Sequence, residues 1–221
     1  MTPKFDMMTS RIMEGRHDES KYAGRLYTLV DQKFFNSAKR YIISNDSSIT
    51  PKVAEQEPVD QYNPKPNGLW YALGDGWANW LLIEEPSWTG RYVFEIELDY
   101  AKMLCISPPA DIKGLGWKAT MDFPEFAAKY AEPNKLFKGS RSPHVSLSLY
   151  TRMGYANNWE MVSKDFSGVE NYFMSNNFGP WAVESGCVWN PDAVKSIRMV
   201  MDMETMPEAK NRFDFGAGND T

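Results

Sequence analysis

Residues 91–98, RYVFEIEL, set Tyr92, Phe94, Ile96 and Leu98 against Val93, Glu95 and Glu97. An apolar residue at every second position, with carboxylates between, is the pattern of a half-exposed β-strand. Residues 144–151 (HVSLSLYT) alternate in the same way, with serines on the polar side. Residues 26–30 (LYTLV) and 68–73 (GLWYAL) are compact β-type runs that predict two further strands. KMLCIS, from Lys102, either continues the sheet or starts a new strand. Near the end, WAVESGCVWNPDAVKSIRMVMDM predicts strand, Asn-Pro-Asp turn, strand.

Helical spacing interrupts these runs. Phe34, Phe35, Ala38, Tyr41 and Ile42 recur at three- and four-residue steps and predict an amphipathic helix within 31–43. Residues 77–83 (WANWLLI) predict a short buried helix, and FPEFAAKYA predicts another with Pro124 near its start. WEMVSKDFSGVENYF has a helical start and then a glycine-containing turn. Strands and helices mix without regular βαβ alternation. An α+β fold is therefore expected rather than a doubly wound sheet.

Residues 44–67, rich in Pro, Asn, Asp and Ser, form an expected long loop of the functional kind. Residues 1–24 are expected to be an N-terminal arm, 25–203 the domain and 204–221 a tail.

Composition removes several function classes. A chain of 221 residues buries roughly 70% of the surface its unfolded form exposes, so it needs no staples. Cys105 and Cys187 are too few for a disulfide framework or a four-ligand zinc site, and both sit in apolar runs expected to hold buried thiols. His17 and His144 lack metal-ligand spacing, so no metal is expected. A net charge of −5 argues against a purely electrostatic grip on nucleic acid. No apolar run reaches membrane-spanning length, and the first twenty residues lack a signal-peptide apolar core, leaving no membrane and a cytoplasmic location as the expectation.

Gly74-Asp75-Gly76 lacks the third glycine of a dinucleotide fingerprint, and no GxxxxGK[ST] or GxSxG is present. Glu95 and Glu97 form either a solvated strand edge or an acid–base pair. Eight Trp, eleven Tyr and twelve Phe supply core, and enough rings remain to line a cleft for a flat ligand.

In order, LYT (Leu26, Tyr27, Thr28), GLWYAL followed by WANW, YVFEIEL, WEMVSKDFSGVENYF and WAVESGCVWNPDAVKSIR resemble the segments of the ADP-ribosyltransferases, a family that cleaves NAD. The resemblance spans about Arg25 to Arg198, and its last segment is the most specific. It implies a split mixed or antiparallel sheet core with short flanking helices. It also implies a mono-ADP-ribosyltransferase that uses NAD as substrate and a macromolecule, protein or nucleic acid, as acceptor. By analogy that is a toxin, a phage-encoded host modifier or a defence enzyme.

The resemblance implies roles residue by residue. Glu184 matches the catalytic glutamate, which steadies the positively charged ribosyl transition state as a carboxylate does in glycoside hydrolysis. Gly68, Trp70 and Tyr71 match the motif beside the nicotinamide, and Trp80 falls near a second ring of the sandwich. Tyr27 and Thr28 occupy the strand that grips NAD. Thr28 stands where the family carries His or Arg and lacks their charge and second donor, so Arg25 is the candidate replacement. Two other classes follow from that departure or from composition: a non-catalytic NAD-, nucleotide- or protein-binding module, and a structural component of a phage-like assembly. Glu184 as an ion-paired strand residue, Arg25 at a solvated edge, and Trp70, Tyr71, Trp80 and Tyr27 in the core are the plain structural alternatives.

Overall fold

A computed structural model describes residues 20–57, 65–133, 155–172 and 183–206. The expected N-terminal arm apart from residues 20–24, the expected strand at 144–151, both histidines, residues 58–64 of the long loop and the tail beyond 206 lie outside the described residues.

The fold is α+β. Eight strands make one mixed sheet: β1 (Arg40–Ser44), β2 (Leu69–Leu73), β3 (Tyr92–Leu98), β4 (Met103–Ile106), β5 (Ala119–Met121), β8 (Gly168–Asn171), β9 (Ser185–Val188) and β10 (Val194–Asp202). Two short strands, β6 (Ala131–Pro133) and β7 (Tyr155–Asn157), pair separately. The order in the large sheet is β10-β3-β1-β2-β9-β8-β4-β5. All neighbours are antiparallel from β10 through β8, and β8-β4-β5 are parallel. The alternating run at 92–98 is the second strand from the β10 edge, where Glu95 binds Lys39 and Arg198 and Glu97 accepts from Ser196 Oγ. These carboxylates are paired surface groups of the sheet.

Helices α1 (Ala23–Asp31), α2 (Gly76–Glu84), α3 (Phe123–Tyr130) and α4 (Trp159–Asp165) pack on one face. Directly paired strand residues share a face, and the register runs Tyr41–Ala72–Ser185 on one line and Trp70–Cys187–Val169–Leu104 on the next on that face. Helices α1 and α2 cover Tyr41 and Val93, while α3 and α4 cover Leu104, Ile106, Val169 and Cys187. The opposite face buries Ile42, Tyr71, Phe94, Ile96 and Met103 against the partly buried Tyr100 and Trp117.

Local side-chain caps start two of the four described helices. Asp122 and Glu125 form a reciprocal capping box at α3, which buries Phe123, Phe126 and Tyr130 on one stripe. Asn158 Oδ1 accepts from the Met161 amide and starts α4. Both cysteines are free and buried, and burial pushes both thiols up.

Two expected elements are corrected. Residues 26–30 are helix, not strand, because the buried Ala23, Leu26 and Leu29 recur at three-residue steps over a longer window. The helix expected within 31–43 is absent, since α1 ends at Asp31. Lys33 takes a left-handed φ of 55°, and the Phe34 amide turns back to the Leu29 carbonyl to close α1. An Asn36 turn then follows, with the Ala38 amide donating to Asn36 Oδ1, and β1 begins at Arg40. Phe34, Phe35 and Tyr41, read as a helical stripe, instead meet edge to face across that turn.

Candidate functional site

Beside α2 a cleft of about 430 Å³ opens on the helix-bearing face. Its floor is sheet: Tyr41 from β1, Trp70 from β2 and Ser185 from β9. Its wall is α2 and the 3-10 turn after it, Pro86–Trp88. Trp77 and Trp80, three residues apart on α2, stack at 4.8 Å between ring centroids and 10° between planes. Trp88 tilts against Trp80 at 6.0 Å. Four indoles from three segments thus converge on one opening.

The α2 sequence explains the wall. It is apolar nearly all round, and Ala78, Leu81 and Leu82 are buried among α1 and the sheet. Trp77 and Trp80 are only half-buried and fall to the cleft side. The Pro86 turn brings Trp88 back beside them, 62% exposed.

Lys65 borders the floor. Its Nζ lies 5.1 Å from the Trp70 ring centroid, a cation–π distance. Burial lowers its pKa. The neighbouring backbone is pinned: the Trp70 indole donates to the Pro66 carbonyl at 3.3 Å, and the Gln56 amide group donates to the Asn67 carbonyl and accepts from its N–H at 2.8 and 3.0 Å.

The structure brings together only part of the expected site. Trp70 and Trp80 line the cleft as expected. Tyr71 borders it but aims elsewhere: it is buried, and its hydroxyl donates to Glu170 at 2.8 Å on the other face. Gly68 serves the sheet. Its φ is 146°, and a Cβ there would sit 2.4 Å from the Val188 carbonyl oxygen. Glu184 is exposed; its chain neighbours Val183 and Ser185 line the cleft, and its carbonyl accepts from the Leu73 amide at 3.1 Å.

The strand expected to grip a dinucleotide is a helix. Arg25, Tyr27 and Thr28 lie on α1, and none lines the cleft. Arg25 donates to the Met203 carbonyl, Thr28 Oγ1 donates back to the Gly24 carbonyl at 3.1 Å, and Tyr27 packs among the α1–α2 core residues. With a helix in place of a strand, these side chains spread around an axis instead of alternating over a ligand.

Trp77, Trp88, Tyr41 and Lys65 are cleft residues that the sequence reading did not nominate. The i, i+3 spacing of Trp77 and Trp80 is the one signal that was present.

A second polar constellation lies on the opposite face. Glu170, fully buried, receives Arg40 through Nε and a terminal nitrogen at 3.1 and 2.7 Å, and both the Tyr71 and Tyr172 hydroxyls. Four donors fill both oxygens. A carboxylate so saturated has no lone pair left for a substrate, and its role is to tie β1, β2 and β8 together. Burial above all pushes the Tyr100 phenol, beside Arg40, up to about 12.

Among the described residues no group of three or more His, Cys, Asp and Glu is placed to hold a metal ion. No helix among them is long and apolar enough to cross a membrane. The chain matches no protein-family model, and no characterised protein or solved structure is significantly similar to it.

Proposed function

We propose that the chain is an ADP-ribosyltransferase-type domain that holds the nicotinamide end of NAD in the tryptophan cleft and transfers ADP-ribose to a macromolecule. One observation carries this reading. Trp70 and Trp80, two of the three rings that the family resemblance assigns to the nicotinamide, line one cleft, and Glu184 stands in the chain between two of its lining residues. Indole faces are electron-rich, and the nicotinamide ring of NAD is flat and cationic, so stacking there is favourable. In the transfer, the bond between the ribose C1 and the nicotinamide nitrogen breaks, neutral nicotinamide leaves with the bonding pair, and an acceptor nucleophile takes C1 and gives up its proton. Glu184 would stabilise the oxocarbenium charge built on the ribose.

The test is nicotinamide release from NAD by the purified protein, with cell lysate as acceptor, beside Glu184→Gln. Release that disappears in the variant supports transfer; equal release from both rules out Glu184 as the catalytic carboxylate.

A second reading, a nucleotide-binding module without the chemistry, is favoured by the placement of Arg25 and Thr28 on α1, turned away from the cleft. NAD binding with no nicotinamide release from the wild type would support it.

A further inference from the structure

Lys65 is the only charged side chain among the described residues lining the cleft. It makes no ion pair among those residues, whereas the buried Arg40 is fully engaged by Glu170. A lysine ammonium drawn from water normally finds a carboxylate, because desolvating an unpaired charge is unfavourable. Here the ammonium instead lies over the Trp70 ring, in a cleft also lined by Trp77, Trp80 and Trp88.

The position is also built. Gln56 clamps Asn67 from both sides of its backbone, and the Asn67 side-chain amide donates to the Glu55 carbonyl at 3.2 Å. The Pro66 carbonyl receives the Trp70 indole N–H at 3.3 Å and the Cys187 thiol at 3.7 Å. Gly68 allows β2 to approach Val188 closely enough for those bonds to form. Lys65 therefore leaves a fixed backbone beside Trp70, unlike a lysine on a free surface loop. Its lowered pKa agrees with that placement, since burial is the dominant cause.

We propose that Lys65 is the anion-binding residue of the cleft, and that the ligand is a phosphorylated nucleotide that presents a phosphate to Lys65 while its ring stacks on the tryptophans. This deepens the NAD reading and rests on it: the phosphate next to the stacked nicotinamide riboside is the group that Lys65 meets. A phosphate supplies to the ammonium the counter-charge that the described lining residues lack, through a charge-assisted hydrogen bond. Lysine binds a phosphate as a point charge.

The test compares ligands that differ only in phosphate. Tryptophan fluorescence is titrated with nicotinamide mononucleotide and with nicotinamide riboside, for the wild type, Lys65→Met and Lys65→Arg. The wild type should bind the phosphorylated ligand about tenfold more tightly, as one charge-assisted hydrogen bond allows. Lys65→Met should lose that preference while binding the riboside as the wild type does, and Lys65→Arg should keep most of it. A preference that survives in Lys65→Met, or is absent from the wild type, overturns the role of Lys65 and leaves the ring site standing. Failure of both ligands to bind the wild type overturns the ring site as well.

Discussion

The Tyr71 hydroxyl passes over Gly186 to reach Glu170, 2.8 Å away, and it can do so because Gly186 has no side chain. The three residues share one line of the sheet, Tyr71 on β2, Gly186 on β9 and Glu170 on β8. A Cβ at Gly186 would lie 2.2 Å from the Tyr71 hydroxyl oxygen and 2.6 Å from the Val169 carbonyl oxygen. The first contact displaces a buried ring and the second is with backbone, so neither relaxes cheaply. Gly186→Ala should cost about 3 kcal/mol of stability, at the upper end of overpacking. Urea denaturation measures it, and a midpoint equal to the wild type's would contradict the close approach.

Arg40 and Glu170 form the charged pair of the same network, with side chains 6% and 0% exposed. Removing one partner of a buried pair strands the other, whereas removing both often costs little. Arg40→Met alone should therefore destabilise the fold by about 3–5 kcal/mol. Arg40→Met with Glu170→Met should recover much of that loss, leaving two tyrosine hydroxyls without an acceptor. Additive losses in the double variant, by the same denaturation measurement, would show that the pair is not coupled.

The elements legible in the sequence are those whose signals are local. The alternation at 92–98, the Asp122–Glu125 box ahead of Phe123, and the turn in which Asn190 Oδ1 accepts from the Asp192 amide all act within a few residues. Residues 26–30 misled because Leu, Tyr, Thr, Leu and Val are good strand formers over five positions. The decision is made by Leu26 and Leu29 together with Tyr22 and Ala23, all buried against α2 and the sheet. The site divides in the same way. Trp70 and Trp80 stand in recognisable runs, but Lys65 and Trp88 join them only through where two loops land. Arg40 and Glu170, 130 residues apart, carry no sign of each other in the sequence.

Trp88 separates binding from folding. It lines the cleft yet is 62% exposed, so Trp88→Ala should leave stability within about 0.5 kcal/mol of the wild type. Loss of one stacking face should weaken a flat-ring ligand about tenfold. Trp70→Ala is the contrasting variant. Its ring packs against the α3–α4 core and its indole holds Pro66, so both affinity and stability should fall. The two variants are compared by nicotinamide mononucleotide titration and by urea denaturation. An unchanged affinity in Trp88→Ala would remove the turn after α2 from the binding surface.

Lys65 gives the cleft a pH dependence whose sign is fixed by the direction of its shift. Burial holds its folded pKa below the ordinary lysine value of 10.5. In the window between the two values the unfolded chain binds more protons than the folded one, so this lysine makes stability rise with pH there. Relative to Lys65→Met, the wild type should gain stability as pH climbs through that window to 10.5. Affinity for a phosphorylated ligand runs the opposite way. It needs the ammonium, so it should decline with rising pH, and sooner than an exposed lysine would dictate. The bound phosphate raises the pKa again, so the decline should appear at higher pH in the complex than in the free protein. Urea denaturation and nicotinamide mononucleotide titration across this range, for both proteins, read the two trends. Parallel pH profiles for the wild type and Lys65→Met would show that the ammonium is solvated like any surface lysine's.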